Sequence, residues 1–191
     1  MEQKTFNPRT IVILIFMLAV AGLRVVLNMQ TSFSLLTNFT PIGAMALFGG
    51  AYFNKSWKAY LFPLLTLWIS DIALSRFVYH HHWELFYSGA YWIYGAFVLM
   101  VITGKYVLKN VSVKNVLLSA LVVTFIHWII TDLGVWTAGS LYPKTISGWW
   151  ACLVAAIPFE RNFLCGTLLY LAIMFGSFEW MKTRFPSLAI A

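Results

Sequence analysis

Six apolar segments alternate with short polar connections along the chain. A transmembrane helix needs about 20 predominantly apolar residues, or fewer where the helix is broken or shielded by protein. The pattern therefore predicts an all-α fold, a polytopic membrane helical bundle in which residues 1–191 form a single integral membrane domain. The predicted spans cover about residues 10–28, 41–53, 59–75, 90–108, 116–136 and 149–180.

The basic residues gather near the ends of the chain and at every second connection. Nine of the thirteen Lys and Arg residues form four clusters, which are Lys4/Arg9, Lys55/Lys58, Lys105/Lys109/Lys114 and Lys182/Arg184. The remaining connections hold only Arg76 and Lys144. Because short cytoplasmic loops carry an excess of Lys and Arg, this alternation predicts six transmembrane helices with the N and C termini in the cytoplasm. The expected location is the bacterial inner membrane, crossed several times.

The composition indicates a lipid environment. The sequence is 61% hydrophobic and 10% charged, with a mean hydropathy of +0.79, whereas soluble domains have about 25% charged residues. A soluble fold of 191 residues could not bury so much apolar surface, so the lipid bilayer is an expected partner. The net charge of +7 follows from the membrane topology, and no nucleic-acid partner is expected. Cys152 and Cys165 are interpreted as small hydrophobes, because their spacing suits neither a metal site nor a redox pair.

Five charged residues interrupt the apolar segments: Arg24, Asp71, Asp132, Glu160 and Arg161. A charge near the centre of a bilayer costs at least about 2.5–3.5 kcal/mol, so such residues face a partner or a cavity. A helix rise of about 1.5 Å per residue places all five between the middle of the membrane and its outer face. Two interpretations remain open. The arginines could pair with the acids to hold helices together, or the five could surround a polar cavity that is open to the outside.

Aromatic residues at a similar depth favour the cavity. Trp68, Trp92 and Trp128 could form stacking walls around a planar organic molecule. His127 is either a hydrogen-bonding core residue or a ligand group. It lies five residues before Asp132, which is about 140° around the helix, so a metal or acid–base partnership within this helix is not expected.

Motifs for catalysis and metal binding are weak or missing. His80, His81 and His82 with Glu84 could bind a divalent metal, although a solvated loop cluster is the simpler interpretation. The sequence lacks GxSxG, HExxH, Walker A and GxGxxG motifs. We therefore expect no enzyme activity, no cofactor and no resident metal. Any transport against a gradient must draw its energy from an ion gradient or a partner.

The second segment, PIGAMALFGGAYF, is rich in small residues. Small residues let helix backbones approach closely, and Ala46 and Gly50 are one such pair four residues apart. Tight internal packing and a docking face for another membrane protein are the two interpretations of this segment.

Four stretches carry a resemblance to a known family: NFTPIGAMALFGGAYF, FPLLTLWISDIAL, HWIITDLGVW and IPFERNFLCGTLLY. They are similar to a bacterial family of small integral membrane proteins of unknown activity. More distantly, the size and the six spans resemble the substrate-binding S components of energy-coupling-factor (ECF) vitamin transporters. That resemblance implies capture of a vitamin from the outside, with a coupling membrane subunit and two ABC ATPases as partners.

The expected function is a membrane-embedded substrate-binding component for uptake of a small organic micronutrient, such as a vitamin or a cofactor precursor, without its own ATPase. Asp71, Asp132, Glu160 and Arg161 are the predicted ligand or gating groups, with Arg24 as counter-ion. On this prediction, Asp71→Asn or Arg161→Ala abolishes ligand capture and leaves membrane insertion intact. The alternative is a non-transport scaffold or assembly subunit with structural ion pairs. A membrane enzyme that uses His127 or the His80–His82 cluster is a third class.

Overall fold

The computed structural model describes residues 8–30, 37–53, 55–80 and 83–189, and the regular structure in these ranges is helical. Each predicted segment corresponds to one α-helix, which confirms the all-α prediction. The helices are α1 (Pro8–Gln30), α2 (Ile42–Tyr52), α3 (Ser56–Phe77), α4 (Ala90–Val107), α5 (Val113–Ala138) and α6 (Ile146–Arg184). Ser112 and Thr145 cap α5 and α6, because each side chain accepts a hydrogen bond from a backbone N–H three residues later.

Four of the helices, α1, α4, α5 and α6, are long and apolar enough to cross a membrane. Helix α3 has 22 residues, but Lys58, Asp71 and Arg76 make it more polar. Helix α2 has only 11 residues, which is about 16 Å, or roughly half of a hydrocarbon core of about 30 Å.

Helix α2 occupies the centre of the bundle and packs against each of the other five helices. Its small residues allow this close packing. A Cβ added to Gly50 would lie 2.3 Å from the Val101 carbonyl oxygen of α4, and one added to Gly104 would lie 2.6 Å from the Leu47 carbonyl oxygen. Ten of the eleven α2 residues are buried. The small residues therefore serve internal packing, and the chain's own helices cover the face that a docking partner would need.

Helix α2 lies beside the second half of α6. Near the start of α2, Gly43 meets Phe163 and Thr167 of α6, and at its end the Tyr52 ring packs at a tilt against Phe178, with 4.5 Å between ring centroids. Helix α6 has 39 residues and continues without interruption through Pro158. Its first half therefore extends past the start of α2, into a region where α2 fills no space.

The described members of the basic clusters meet at one end of the bundle. Arg9 Nη2 donates to the Tyr52 carbonyl oxygen at 3.2 Å, which joins the start of α1 to the end of α2. Tyr52 Oη in turn donates to Glu179 of α6 at 2.5 Å, and Lys182 contacts the same carboxylate at 2.9 Å. Lys105 at the end of α4 donates to Ser56 at the start of α3 at 2.6 Å. We call this the basic end of the bundle.

Candidate functional site

A cavity of about 360 Å³ lies between α4, α5 and α6, next to the segment that leads into α2. Small-molecule sites usually measure about 300–1,000 Å³, so a small organic ligand fits this volume. Its polar lining consists of Asn38, His127, Thr131, Asp132, Tyr142, Cys152 and Glu160. Its apolar lining consists of Ile93, Val135, Leu141, Ala155, Ala156 and Phe159.

Two helix faces build most of this cavity. Residues three or four positions apart lie on the same side of a helix, and α5 contributes residues 127, 131 and 135 at spacings of four, together with 132, three residues before 135. Helix α6 contributes 152, 155, 156, 159 and 160 in the same way. Ala155 and Ala156 are small, and the short α2 does not reach between these helices at this level. Both features leave the space open.

His127 and Glu160 join α5 to α6 inside the cavity wall. His127 Nδ1 lies 2.9 Å from Glu160 Oε1 and 3.0 Å from Oε2, and both side chains are buried. The imidazole also stacks on Phe163 of α6, with 4.0 Å between ring centroids and 15° between ring planes. The ring is therefore fixed in position, with one nitrogen committed to the carboxylate.

Asp132 is the unsatisfied acid of the site. The residue is 9% exposed and lines the cavity, yet its Oδ2 atom is buried without a hydrogen-bond partner among the described residues. Buried polar atoms normally have partners, because leaving one unsatisfied costs about 1–3 kcal/mol and more for a charged group. Asp132 therefore brings an incompletely partnered carboxylate to the cavity wall.

Asp71 has a different environment, because its two oxygens are already occupied. Arg24 Nη1 lies 2.7 Å from Asp71 Oδ1 and 2.6 Å from Ser70 Oγ, and Tyr94 Oη donates to Asp71 Oδ2 at 3.1 Å. These contacts join α1, α3 and α4. Tyr87, in the loop before α4, lies close by, and its pKa is raised by burial and then by the Asp71 carboxylate. None of these residues lines the cavity.

The remaining predicted site residues also lie outside the cavity lining. Arg161 is exposed and makes no hydrogen bond or ion pair within the described ranges. Trp68 and Trp128 each donate from Nε1 to a backbone carbonyl at 3.0 Å, and Trp92 packs against Gly134 of α5. The structure thus brings together His127, Asp132 and Glu160, and it separates them from the other predicted residues. Loss of ligand capture in Asp71→Asn or Arg161→Ala is consequently no longer expected from direct contact.

Several lining residues were not predicted as site residues from the sequence. Asn38 and Tyr142 lie in the connections between helices, where no helical spacing in the sequence shows which side chains share a surface. Cys152 was interpreted only as a small hydrophobe, although its spacing of four residues to Ala156 and again to Glu160 marks one helix face. That spacing is the signal that could have identified it.

The described residues contain no group of three or more His, Cys, Asp or Glu side chains that could hold a metal ion. His80 and Glu84 lie in the connection after α3, whereas His81 and His82 lie outside the described residues. The interpretation of this loop as a solvated cluster therefore stays a prediction.

Helices of membrane-spanning length with ionisable groups buried between them define the class as a helical membrane protein. The chain belongs to a family of unknown function, DUF6580, whose model matches residues 4–188. No curated protein and no solved structure matches the chain. The family match agrees with the predicted membership of a family of unknown activity. The likeness to the S components of ECF transporters stays a prediction.

Proposed function

We propose that this protein is a multi-pass protein of the inner membrane that binds a small organic micronutrient and serves its uptake. The observation that carries the proposal is the cavity of about 360 Å³ with His127, Asp132 and Glu160 in its wall. Ionisable residues inside a membrane are costly and usually mark a substrate or ion pathway. The mixed polar and apolar lining is the type that holds a small organic molecule in one orientation.

The direction of uptake follows from the two ends of the bundle. The basic end holds the start of α1 and the ends of α2, α4 and α6, so the positive-inside rule assigns it to the cytoplasm. The cavity includes Leu141 and Tyr142 from the connection between α5 and α6, which is at the opposite end. In this topology, with six crossings and both termini inside, a ligand enters from the outer side.

Energy for uptake has to come from outside the chain, because the sequence contains no Walker A motif. A coupling membrane subunit with ABC ATPases, as in the S-component arrangement, would supply it. The scaffold alternative depended on a small-residue docking face. Ten of the eleven residues of α2 are buried within the bundle, which favours the uptake proposal over the scaffold alternative.

A cavity-filling substitution tests the proposal. We expect Ala155→Phe to abolish ligand capture. Ala155 borders the cavity with only a methyl group, and the larger phenylalanine side chain would occupy part of the cavity. Ala151→Phe is the matched control, since Ala151 is also an exposed alanine of α6, one turn earlier, outside the cavity lining. Cells producing each variant would receive a defined mixture of water-soluble vitamins, amino acids and amines. Mass spectrometry would then measure depletion of each compound from the medium and its recovery with the purified protein.

Wild-type protein and Ala151→Phe should deplete and retain the same compound, and Ala155→Phe should do neither. Equal depletion and equal recovery for all three proteins would contradict the proposal. So would the absence of any depleted or recovered compound with the wild-type protein.

A further inference from the structure

We infer that the ligand of this cavity is a small organic cation, held through a protonated nitrogen by the Asp132 carboxylate. The inference rests on the proposed ligand-binding function and names the class of its ligand. It is carried by the distribution of charge around the cavity and by the unpartnered oxygen of Asp132.

The cavity has more acids than bases. Asp132 and Glu160 both line it, and among the described residues His127 is the only basic side chain in the lining. His127 already contacts Glu160 through Nδ1. Even with a protonated imidazole, the two carboxylates leave one negative charge without a counter-ion in the wall.

Within the described residues, Lys144, Arg161 and Arg24 form no ion pair with either of these carboxylates. The Lys144 ammonium, in the connection between α5 and α6, donates to the backbone carbonyl oxygens of Trp136 and Gly139 at the end of α5. Arg161 follows Glu160 in the chain but is exposed and outside the lining. Arg24 is engaged by Asp71 and Ser70. No Lys or Arg side chain of the described residues lines the cavity.

Asp71 shows what a satisfied carboxylate looks like in this bundle. A guanidinium and a phenol hydroxyl donate to its two oxygens. Asp132 is equally buried, at 9% exposure for each residue, but its Oδ2 has no donor among the described residues. A protonated amine in the cavity would provide the missing positive charge and a hydrogen bond to the Asp132 carboxylate, which lines the cavity. Charge-assisted hydrogen bonds of this kind are about twice as strong as neutral ones.

The rest of the lining restricts the shape of such a ligand. Ile93, Val135 and Phe159 offer apolar contacts to a hydrocarbon or aromatic body. An organic acid would meet like charges, and a neutral alcohol would satisfy Asp132 without balancing its charge. The structure therefore favours an amine with an apolar body over molecules of the same shape without the positive charge.

Three probes of similar shape separate these cases: phenethylamine, 2-phenylethanol and phenylacetate. Thermal unfolding of the purified full-length protein in detergent would be followed at millimolar concentrations of each probe. We expect phenethylamine to raise the Tm of the wild-type protein, 2-phenylethanol to raise it less and phenylacetate to leave it unchanged. This ranking needs no variant, so it does not depend on how a substitution affects folding.

Asp132→Asn keeps the size of the side chain and removes its charge, so we expect it to weaken phenethylamine binding about tenfold or more. Asp71→Asn is the matched control, because it removes a buried carboxylate outside the cavity and should retain the Tm response to the amine. Equal or stronger responses to the alcohol or the acid would overturn the inference. So would no response to the amine, or an unchanged amine response in Asp132→Asn.

The proposed function is judged separately. If the compound that Ala155→Phe fails to capture is neutral or anionic and Asp132→Asn still binds it, the inference fails and the uptake function stands. If Ala155→Phe captures the same compound as the wild-type protein, the proposed function fails.

Discussion

Two aspartates at similar burial have different partners, and that difference distinguishes a paired structural carboxylate from the carboxylate that we propose binds a ligand. Asp71 is held by Arg24 and Tyr94, so the charge that it brings into the apolar bundle is neutralised within the chain. Asp132 faces a cavity with one oxygen unsatisfied. The interpretation as structural ion pairs therefore applies to Asp71, and the cavity interpretation applies to Asp132.

The Arg24–Asp71 pair gives a prediction on stability. Removing one partner of a buried ion pair leaves an uncompensated charge and typically costs about 3–5 kcal/mol. We expect Arg24→Gln to lower the Tm substantially, and the double variant Arg24→Gln with Asp71→Asn to be more stable than Arg24→Gln alone, because no charge is then left unpaired. The measurement is thermal unfolding in detergent of the wild-type protein, both single variants and the double variant. The four values together give the coupling free energy between Arg24 and Asp71.

The Lys182–Glu179 pair provides a comparison for this double-mutant cycle of Arg24 and Asp71. This pair lies at the basic end, and the two side chains are 26% and 39% exposed. Exposed pairs contribute only about 0–1 kcal/mol, so Lys182→Gln should change the Tm little. Additive losses in the Arg24 and Asp71 cycle would show that the two residues do not act as a pair.

At the scale of elements, the short central helix α2 leaves room for the site because it begins only at the level of the middle of α6. Its buried small residues let α4 approach closely, and the segment that leads into it ends beside Phe163 and Thr167, midway along α6. Beyond the start of α2, the facing sides of α5 and of the first half of α6 have no central helix packed against them. The cavity lies in this region. A longer α2 would fill this space.

The contact between α2 and α4 is tested by glycine substitution. A Cβ at Gly104 would lie 2.6 Å from the Leu47 carbonyl oxygen and 2.8 Å from its Cα, so the two helices would have to separate. We expect Gly104→Ala to lower stability by about 1–3 kcal/mol, the usual cost of overpacking. The measurement is thermal unfolding in detergent.

Gly95 is the matched control on the same helix. A Cβ there would meet no heavy atom within 4 Å, and alanine favours the helix over glycine by about 1 kcal/mol. Gly95→Ala should therefore be neutral or stabilising. Equal losses for the two variants would mean that α2 and α4 do not pack as closely as described.

At the scale of the whole molecule, the bundle has a basic end and a cavity end. The first end holds Arg9, Lys105 and Lys182, with Lys55 at the adjoining start of α3. Leu141 and Tyr142 belong to the second end. This polarity is what the positive-inside rule requires of a protein with both termini in the cytoplasm. On the proposed topology, the cavity would be reached from the outer side.

Cysteine labelling tests this orientation. In a background with Cys152 and Cys165 replaced by Ala, Ser140→Cys places a thiol between α5 and α6, and Asn110→Cys places one between α4 and α5. Both positions are exposed. A membrane-impermeant maleimide added to intact cells should label the first variant and not the second, whereas permeabilised cells should show both labelled. Labelling of both, or only of Asn110→Cys, in intact cells would contradict the proposed topology.

The sequence by itself determined the positions of the helices, because hydropathy and turn chemistry are local properties. All six predicted segments coincide with helices, and the small residues of the second segment already indicated close packing. Only the tertiary structure decided which charges meet. Arg24 and Asp71 lie 47 residues apart, and His127 and Glu160 lie 33 apart, so no local pattern distinguishes a paired carboxylate from an unsatisfied one. The cavity likewise depends on where α2 begins relative to α6, which is set by packing between helices distant in the chain.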